Sequence, residues 1–213
     1  IKVSSFERFT ADLSINTKFF DNHLSISLNL KGAINNNVNI DGGVVGAAAF
    51  YDPTKPMYNP EGAYNGYWNW TNPNGSPNVL SGTNPLSVLY DYNDKPKTRR
   101  SIGNLQADYK FHFLPELRFN INLGYDIAKG RGNDKGVKVN SFQAAKNTDF
   151  PNIGSVEDWE QFRRNQLMDI YLNYEKEIEQ IKSRFSVMGG YSWQWFYRSN
   201  YSLFHTPAGH TQD

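Results

Sequence analysis

The chain contains no cysteine, so no disulfide framework and no thiolate metal site organises it, although that absence leaves the compartment open. No stretch approaches the roughly 18 to 20 consecutive apolar residues of a membrane-spanning helix, and the mean hydropathy is −0.65. A helical membrane protein is excluded. A barrel is not, because strands that alternate apolar and polar residues are invisible to a hydropathy window. Neither sign of charge dominates: 22 Lys and Arg stand against 21 Asp and Glu, interspersed along the chain. No basic stripe marks a nucleic-acid surface, and no nucleic-acid partner is expected. Histidine is scarce, at 4 residues. His23, His112, His205 and His210 are scattered, none at ligand spacing with a carboxylate, so no metal is expected. "AKGRGNDKG" is rich in glycine but lacks the spacing and the Gly-Lys-Ser/Thr ending of a phosphate loop, and reads as a flexible loop. Catalysis would need a nucleophile with its base, or two opposed carboxylates. Asp12, Asp108, Asp169 and Glu175 instead share a polar face with Lys18, Lys31, Lys110 and Arg118, the mixed charge of a hydrated wall. No catalytic residue, no enzyme activity and no cofactor are expected.

What the chain has is alternation. Six segments place an apolar residue at every second position, the period of a strand rather than a helix. Phe9, Ala11, Leu13, Ile15 and Phe19 alternate with Asp12, Ser14, Asn16 and Lys18, and Leu24, Ile26, Leu28 and Leu30 alternate with Ser25, Ser27, Asn29 and Lys31. Leu105, Ala107, Tyr109, Phe111 and Phe113 follow, then Leu117, Phe119, Ile121, Leu123 and Tyr125. Met168, Ile170, Leu172 and Tyr174 precede Phe185, Val187, Tyr191, Trp193 and Trp195. Strands are expected over about 7–19, 24–32, 101–113, 117–126, 166–176 and 183–196. Antiparallel partners keep a constant index sum, and a one-residue slip would turn a whole face over. Pairing Phe19 with Leu24, Phe113 with Leu117 and Tyr174 with Phe185 brings apolar residues opposite apolar ones along all three hairpins.

Connections alternate as well. Short turns fall at about 20–23, 114–116 and 177–182, and long loops at about 33–99 and 127–165, all the long ones on one edge. Loops beyond about 15 residues are rare in compact domains, and this asymmetry is that of outer-membrane barrels. Runs of about 9 to 13 alternating residues also suit a tilted crossing of the hydrocarbon, which needs about 9 to 11. Aromatics form 15% of the chain and gather at both strand ends, as interfacial belts would. The reading is all-β: an antiparallel, up-and-down, transmembrane β-barrel segment of six long strands with two long loops on one side. Its apolar face meets outer-membrane lipid through Leu13, Ile15, Ile26, Leu28, Tyr109, Ile121, Leu123, Ile170, Leu172 and Val187. Six strands cannot close, since the smallest membrane barrels have about 8, and the chain opens on Ile1 and stops at "HTPAGHTQD" as though cut from something longer. The competing reading is a soluble β-sheet module that holds carbohydrate in its aromatic loop.

Ligand chemistry is expected in the first long loop. "YNPEGAYNGYWNWTNPNGSPN" sets Tyr58, Tyr64, Tyr67, Trp68 and Trp70 among Asn, Gly and Pro. Flat rings stack on sugar faces or peptide side chains while nearby amides satisfy polar groups, so these five are the candidate substrate contacts; packing of the loop on itself is the alternative. In the second loop, "SVEDWEQFRR" starts like a capping box at Ser155 and Asp158, and predicts a helix of about ten residues with Trp159 and Phe162 on one face. Asp91 and Asp94 in "YDYNDKP" read as a solvated turn. Asn69, Asn74 and Asn200 open glycosylation-like triplets that carry no weight in this setting.

"RFTADLSINTKFFDNHLSISLNLKG", "AAAFYDPTKPMYNPEGAYNGYW", "NPLSVLYDYNDKPKTRRSIGNLQADYKFHFLPELRFNINLGYD" and "GGYSWQWF" resemble the middle barrel of SusC/RagA-type TonB-dependent outer-membrane transporters of Bacteroidetes. The most specific stretch runs from Asn84 to Asp126. "EIEQI" is longer and more charged than the turn usual there. The resemblance implies a 22-stranded barrel with an N-terminal plug domain outside this chain, energy delivered through TonB to that plug, and a SusD-like surface lipoprotein as lid. It also implies the bacterial outer membrane as location and an oligosaccharide or peptide nutrient as cargo.

Overall fold

The computed structural model describes residues 3–147 and 151–206. Among them, β1 (Ser5–Phe19), β2 (Leu24–Val38), β4 (Lys97–Lys110), β5 (Leu117–Val137), β6 (Ser155–Ile178) and β7 (Ser183–His205) form one antiparallel sheet in chain order, and β3 (Tyr92–Asn93) pairs with the end of β5. Short helices α1 (Val44–Ala49), α2 (Pro85–Tyr90) and α3 (Phe142–Ala145) lie in the connections on one side of the sheet. No helix among the described residues is long and apolar enough to cross a membrane. The sheet is not closed: β1 and β7 each pair on one side only.

Register sorts the side chains. Ile15, Leu28, Leu105, Leu123, Met168 and Trp193 are successive cross-strand partners, and so are Thr17, Ile26, Ala107, Ile121, Ile170 and Tyr191. Directly paired residues project from the same side of a sheet. One face therefore carries apolar rows six strands wide, interrupted in these two only by Thr17 on β1, and all ten predicted lipid contacts lie on it. No second layer from the described part of the chain covers them: Leu13, Ile15, Leu172 and Val187 are about half exposed. The opposite face is hydrogen-bonded polar chemistry. Asn104 donates to Asn122, Asn122 to Asp169 at 3.3 Å, and Ser192 to Asp169 at 2.6 Å, a side-chain chain spanning β4 to β7.

The first hairpin has the expected register, Phe19 opposite Leu24 and Leu13 opposite Leu30. Its tight loop holds Phe20, Asp21 and Asn22 at positive φ, a conformation that Asp and Asn tolerate better than Phe. The second and third hairpins are displaced by two residues from expectation. Tyr109 faces Phe119 rather than Ile121, and Tyr174 faces Val187 rather than Phe185. The cause is turn length. β4 ends at Lys110, Phe111 makes a last bond to the Leu117 carbonyl, and residues 112–116 turn the chain. In the third, a 3-10 turn over Glu179–Ile181 ends on Lys182 in the left-handed region. A two-residue slip preserves the faces, because side chains alternate with period two.

The larger correction is strand length. β2 runs on to Val38 and β4 begins at Lys97, while β5, β6 and β7 have 21, 24 and 23 residues, so the long connections shrink to 39–96 and 138–154. The predicted helix at 155–164 is the first half of β6, with Trp159 and Phe162 on opposite faces. The predicted flexible loop "AKGRGNDKG" is the last half of β5, with a register shift between Gly132 and Lys135. Its glycines have a physical role: the Trp159 indole lies across the strand, 3.3 Å from where a Cβ on Gly130 would be and closer still to Gly132.

The same device appears lower in the sheet. A Cβ at Gly103 would overlap the Tyr125 ring, and the Tyr125 hydroxyl is 3.0 Å from Ser101 Oγ. The ring covers the glycine's bare backbone, as aromatic residues do for glycines in designed sheets. Gly103→Ala should displace the ring and lower unfolding stability by about 1–3 kcal/mol, read by urea titration in detergent; Tyr125→Ala in the same chain should recover part of the loss.

Candidate functional site

The 39–96 connection is organised around one amide. Asn84 is fully buried, caps α2 by accepting from Leu86 N at 2.9 Å, and donates through Nδ2 to the Met57 and Trp68 carbonyls, both at 2.8 Å. Its own backbone N–H donates to Asn69 Oδ1 at 2.9 Å. Proline at the next position suits the first helical turn, where no N–H is needed. At the other end of α2, buried Asp91 accepts from Ser87 Oγ at 2.8 Å and from Asn65 Nδ2 at 3.1 Å. Buried polar groups are stable only when so satisfied. Asp91 is therefore structural and buried; Asp94 is buried too, accepting from Asn39 Nδ2 through one oxygen at 2.8 Å, so the two do not form a solvated turn, and Asn69 is buried where a glycan acceptor would need exposure.

The 138–154 connection packs onto this unit. Phe142 on α3 is fully buried edge-on to Tyr64 at 5.2 Å. Lys138 N donates to the Asp91 carbonyl, Asn65 Nδ2 to the Val139 carbonyl, and Lys146 Nζ to the Ser81 carbonyl. Lys146 also sits 4.6 Å over the Phe142 ring, and burial pushes its ammonium down from the usual lysine range. The two connections form a single cap beside one end of the sheet.

The five predicted substrate aromatics divide within that cap. Tyr64 is core, its hydroxyl donating to the Gly75 carbonyl at 2.9 Å. Trp68 and Trp70 meet edge-on at 4.7 Å, and Trp70 is edge-on to Tyr51 at 5.4 Å. Tyr67 pairs across a β-bridge with Tyr58, their rings 6.0 Å apart. Burial raises the phenol pKa of Tyr51, Tyr64 and Tyr67, with a contribution from Asp91 at Tyr67; all three remain protonated donors at neutral pH. Tyr58 alone of the five is mainly exposed, at 60%. The most exposed apolar side chains on the cap surface are Phe50, at 89%, and Leu80, at 94%.

Below the cap, the polar face of the sheet holds a cavity of about 470 Å³ lined by Arg8, Asp12, Lys31, Arg100, Trp159 and Arg163 among others. Arg100 grips Asp126 through one guanidinium edge, Nε and Nη2 donating to the two carboxylate oxygens at 2.8 and 2.9 Å, with Arg163 3.8 Å from the same carboxylate. An indole wall with forked donors suits solutes that present flat apolar faces and polar groups together. The sequence pattern missed this site, because Trp159 and Arg163 lie in the stretch expected to be helical. The histidines divide: His23 and His112 stack at 3.9 Å near the short turns, His205 ends β7, and His210 lies outside the described residues. No three His, Asp or Glu side chains stand together as metal ligands among the described residues.

With this geometry in view, comparison with known proteins is decisive. No protein-family model matches the chain. The TonB-dependent receptor SusC of Bacteroides thetaiotaomicron is 33% identical over 214 residues, an alignment that covers 94% of this chain. The chain belongs with the SusC/RagA-type barrels. It spans about a fifth of the length of the relatives it matches: 20% of SusC, and 21% and 22% of the solved chains described below. Structures of the RagAB peptide importer in its open-open and closed-closed states superpose with TM-scores of 0.63 and 0.65, covering 95% and 99% of this chain at 14% identity. Those likenesses show the fold: this SusC/RagA-type segment has the same long antiparallel strands, here not closed on themselves.

Removing the central amide tests the cap. Asn84→Ala leaves the Met57 and Trp68 carbonyls without their donor and the start of α2 without its cap, and should cost about 2 kcal/mol. Faster protease cleavage within 39–96, with the sheet still protected from hydrogen exchange, is the expected readout. Tyr58→Ala should change stability by no more than about 0.5 kcal/mol.

Proposed function

We propose that this chain is part of the wall of a TonB-dependent importer in the bacterial outer membrane, carrying an oligomeric nutrient, a glycan or a peptide. The observation that supports it most is the division of the sheet into an uncovered apolar face and a hydrogen-bonded polar face over six paired strands. In water the apolar face would be a patch far larger than soluble monomers expose; in a bilayer it is solvated by acyl chains, and the Asn, Asp and Ser ladder faces a hydrated lumen. Unpaired strand edges in hydrocarbon cost several kcal/mol per polar group, so strands of the same protein outside this chain complete the wall at β1 and β7. The plug domain that would engage TonB also lies outside this chain.

In this reading the cap stands at the outer surface. Tyr58, half-buried Tyr67 and Trp68, and the apolar tips at Phe50 and Leu80 meet substrate or a SusD-like lipoprotein lid, while Tyr64 and Trp70 hold the cap together. Cargo leaving the cap meets the Trp159 and arginine cavity next, where indole stacking and guanidinium donors serve a sugar ring or a peptide carboxylate equally. The role is passage and recognition rather than chemical conversion.

Two measurements on the full-length protein test this. Leu28→Arg places a charge at mid-strand on the lipid face and should cost about 2–4 kcal/mol of folding in lipid vesicles; a neutral result overturns the lipid assignment. Trp159→Ala should weaken nutrient uptake at least severalfold with the barrel intact in the membrane, and unchanged uptake would remove the cavity from the route.

A further inference from the structure

Toward the cap, the apolar face changes character. The β4–β5 ladder sets Arg99 directly opposite Lys129 and Lys97 directly opposite Arg131. Both pairs have the parity of Leu105 and Leu123, so four cations occupy two successive rows on the outward face. Like charges directly opposite one another destabilise a sheet. Lys129 has a partner in Glu160 at 2.8 Å; among the described residues the other three form no ion pair. Arg164 adds a fifth positive charge one row nearer the membrane centre, opposite Ile127 and 5.6 Å over the Phe162 ring. The acids on this end of the face are Glu7, Asp158 and Glu160, outnumbered by the five cations.

Directly beneath Arg99 and Lys129, one row is built from small residues, Ala11, Gly32 and Ser101, between taller neighbours Phe9, Ile34 and Ile127. The result is an apolar trench of about 300 Å³ whose rim includes Arg99 and Lys129. Gly32 is not there for steric relief: a Cβ would meet nothing nearer than the Ala11 carbonyl, at 4.0 Å. Its missing side chain gives the trench its depth. Cations nearest the cap and an apolar trench toward the sheet centre follow the axis of a membrane amphiphile, head above and chain below. Both strands of the cation ladder are interior to the sheet, and the trench extends from them across β2 to Phe9 and Ala11 on β1.

We propose that this is a lipid-binding site, taking the phosphate of an anionic outer-leaflet lipid between Arg99, Lys129, Lys97 and Arg131 and one acyl chain in the trench at Gly32. The bound phosphate relieves the opposed cations, and their stems lie along the trench with the charged ends raised to the headgroup level. The proposal rests on the membrane reading above.

The test uses full-length protein, extracted in a neutral detergent, stripped of lipid and examined by native mass spectrometry with three probes. Dipalmitoyl phosphatidic acid has both features, dipalmitoylglycerol only the chains, and glycerol phosphate only the anion. Phosphatidic acid should be retained at least about tenfold better than either. Arg99→Gln with Lys129→Gln should cut that retention about tenfold, and Gly32→Leu, which fills the trench without touching a charge, should do the same. The two routes are independent, so a folding failure of either leaves the other to decide. Equal retention of dipalmitoylglycerol, equal binding of glycerol phosphate, or retention unchanged in a folded variant overturns the site and leaves the membrane reading standing. Full-length protein that stays monodisperse without detergent overturns the membrane reading itself, before any lipid is added.

Discussion

Everything in this structure depends on parity between neighbouring strands. Each ladder bond fixes which residues face each other, and alternation then sends one set of side chains to each side. An odd slip in any one hairpin would turn that strand's apolar set toward the polar wall and bury Asp, Asn or Lys among Leu and Ile. Even slips are harmless to the faces, and that is where sequence expectation and structure differ in two of three hairpins. The backbone tolerates the difference because turns of different length deliver the same parity.

A second constraint governs the cap. Two long connections without regular sheet would carry many unpaired backbone groups, and buried groups of that kind are costly. Asn84 and Asp91 resolve this by each serving several partners at once, across residues distant in sequence. Phe142 and Tyr64 close the remaining apolar gap. The cap is therefore a folded unit, and its exposed aromatic and apolar tips stand on a rigid base. Beneath it, the cavity with Trp159 and Arg100 sits on strands rather than loops, which holds its side chains in fixed relation to one another.

The apolar halves of the strands were legible in the sequence because Leu, Ile and Phe stand out against Asn and Ser at every second position. Their upper halves were not. From Ile127 to Val137 and from Ser155 to Asn165 both faces carry polar or glycine residues, so no two-residue pattern survives, and the Trp159–Phe162 spacing imitates a helix. Pairing with β7 decides the matter, since a helix there would leave the β5 and β7 edges without partners. The aromatic loop was legible as a place but not as a set of roles: nothing in "YNGYWNW" says that Tyr64 is core and Tyr58 is surface. The opposed cations of β4 and β5 were equally hidden, since Arg99 and Lys129 are thirty positions apart.

The sequence alone determined the class: two-faced antiparallel strands, short turns at one end and long connections at the other, with no helix able to cross a membrane. Those properties are set by period, composition and the spacing of alternating runs along the chain, and none depends on which segments meet in space. Only the tertiary structure decided where strands stop, which residues stand opposite, and which side chains meet in the cap and the polar cavity. Those properties depend on index sums and packing between segments far apart in the chain, and turn length, which sets the sums, is decided by hydrogen bonds that form only once the strands are together.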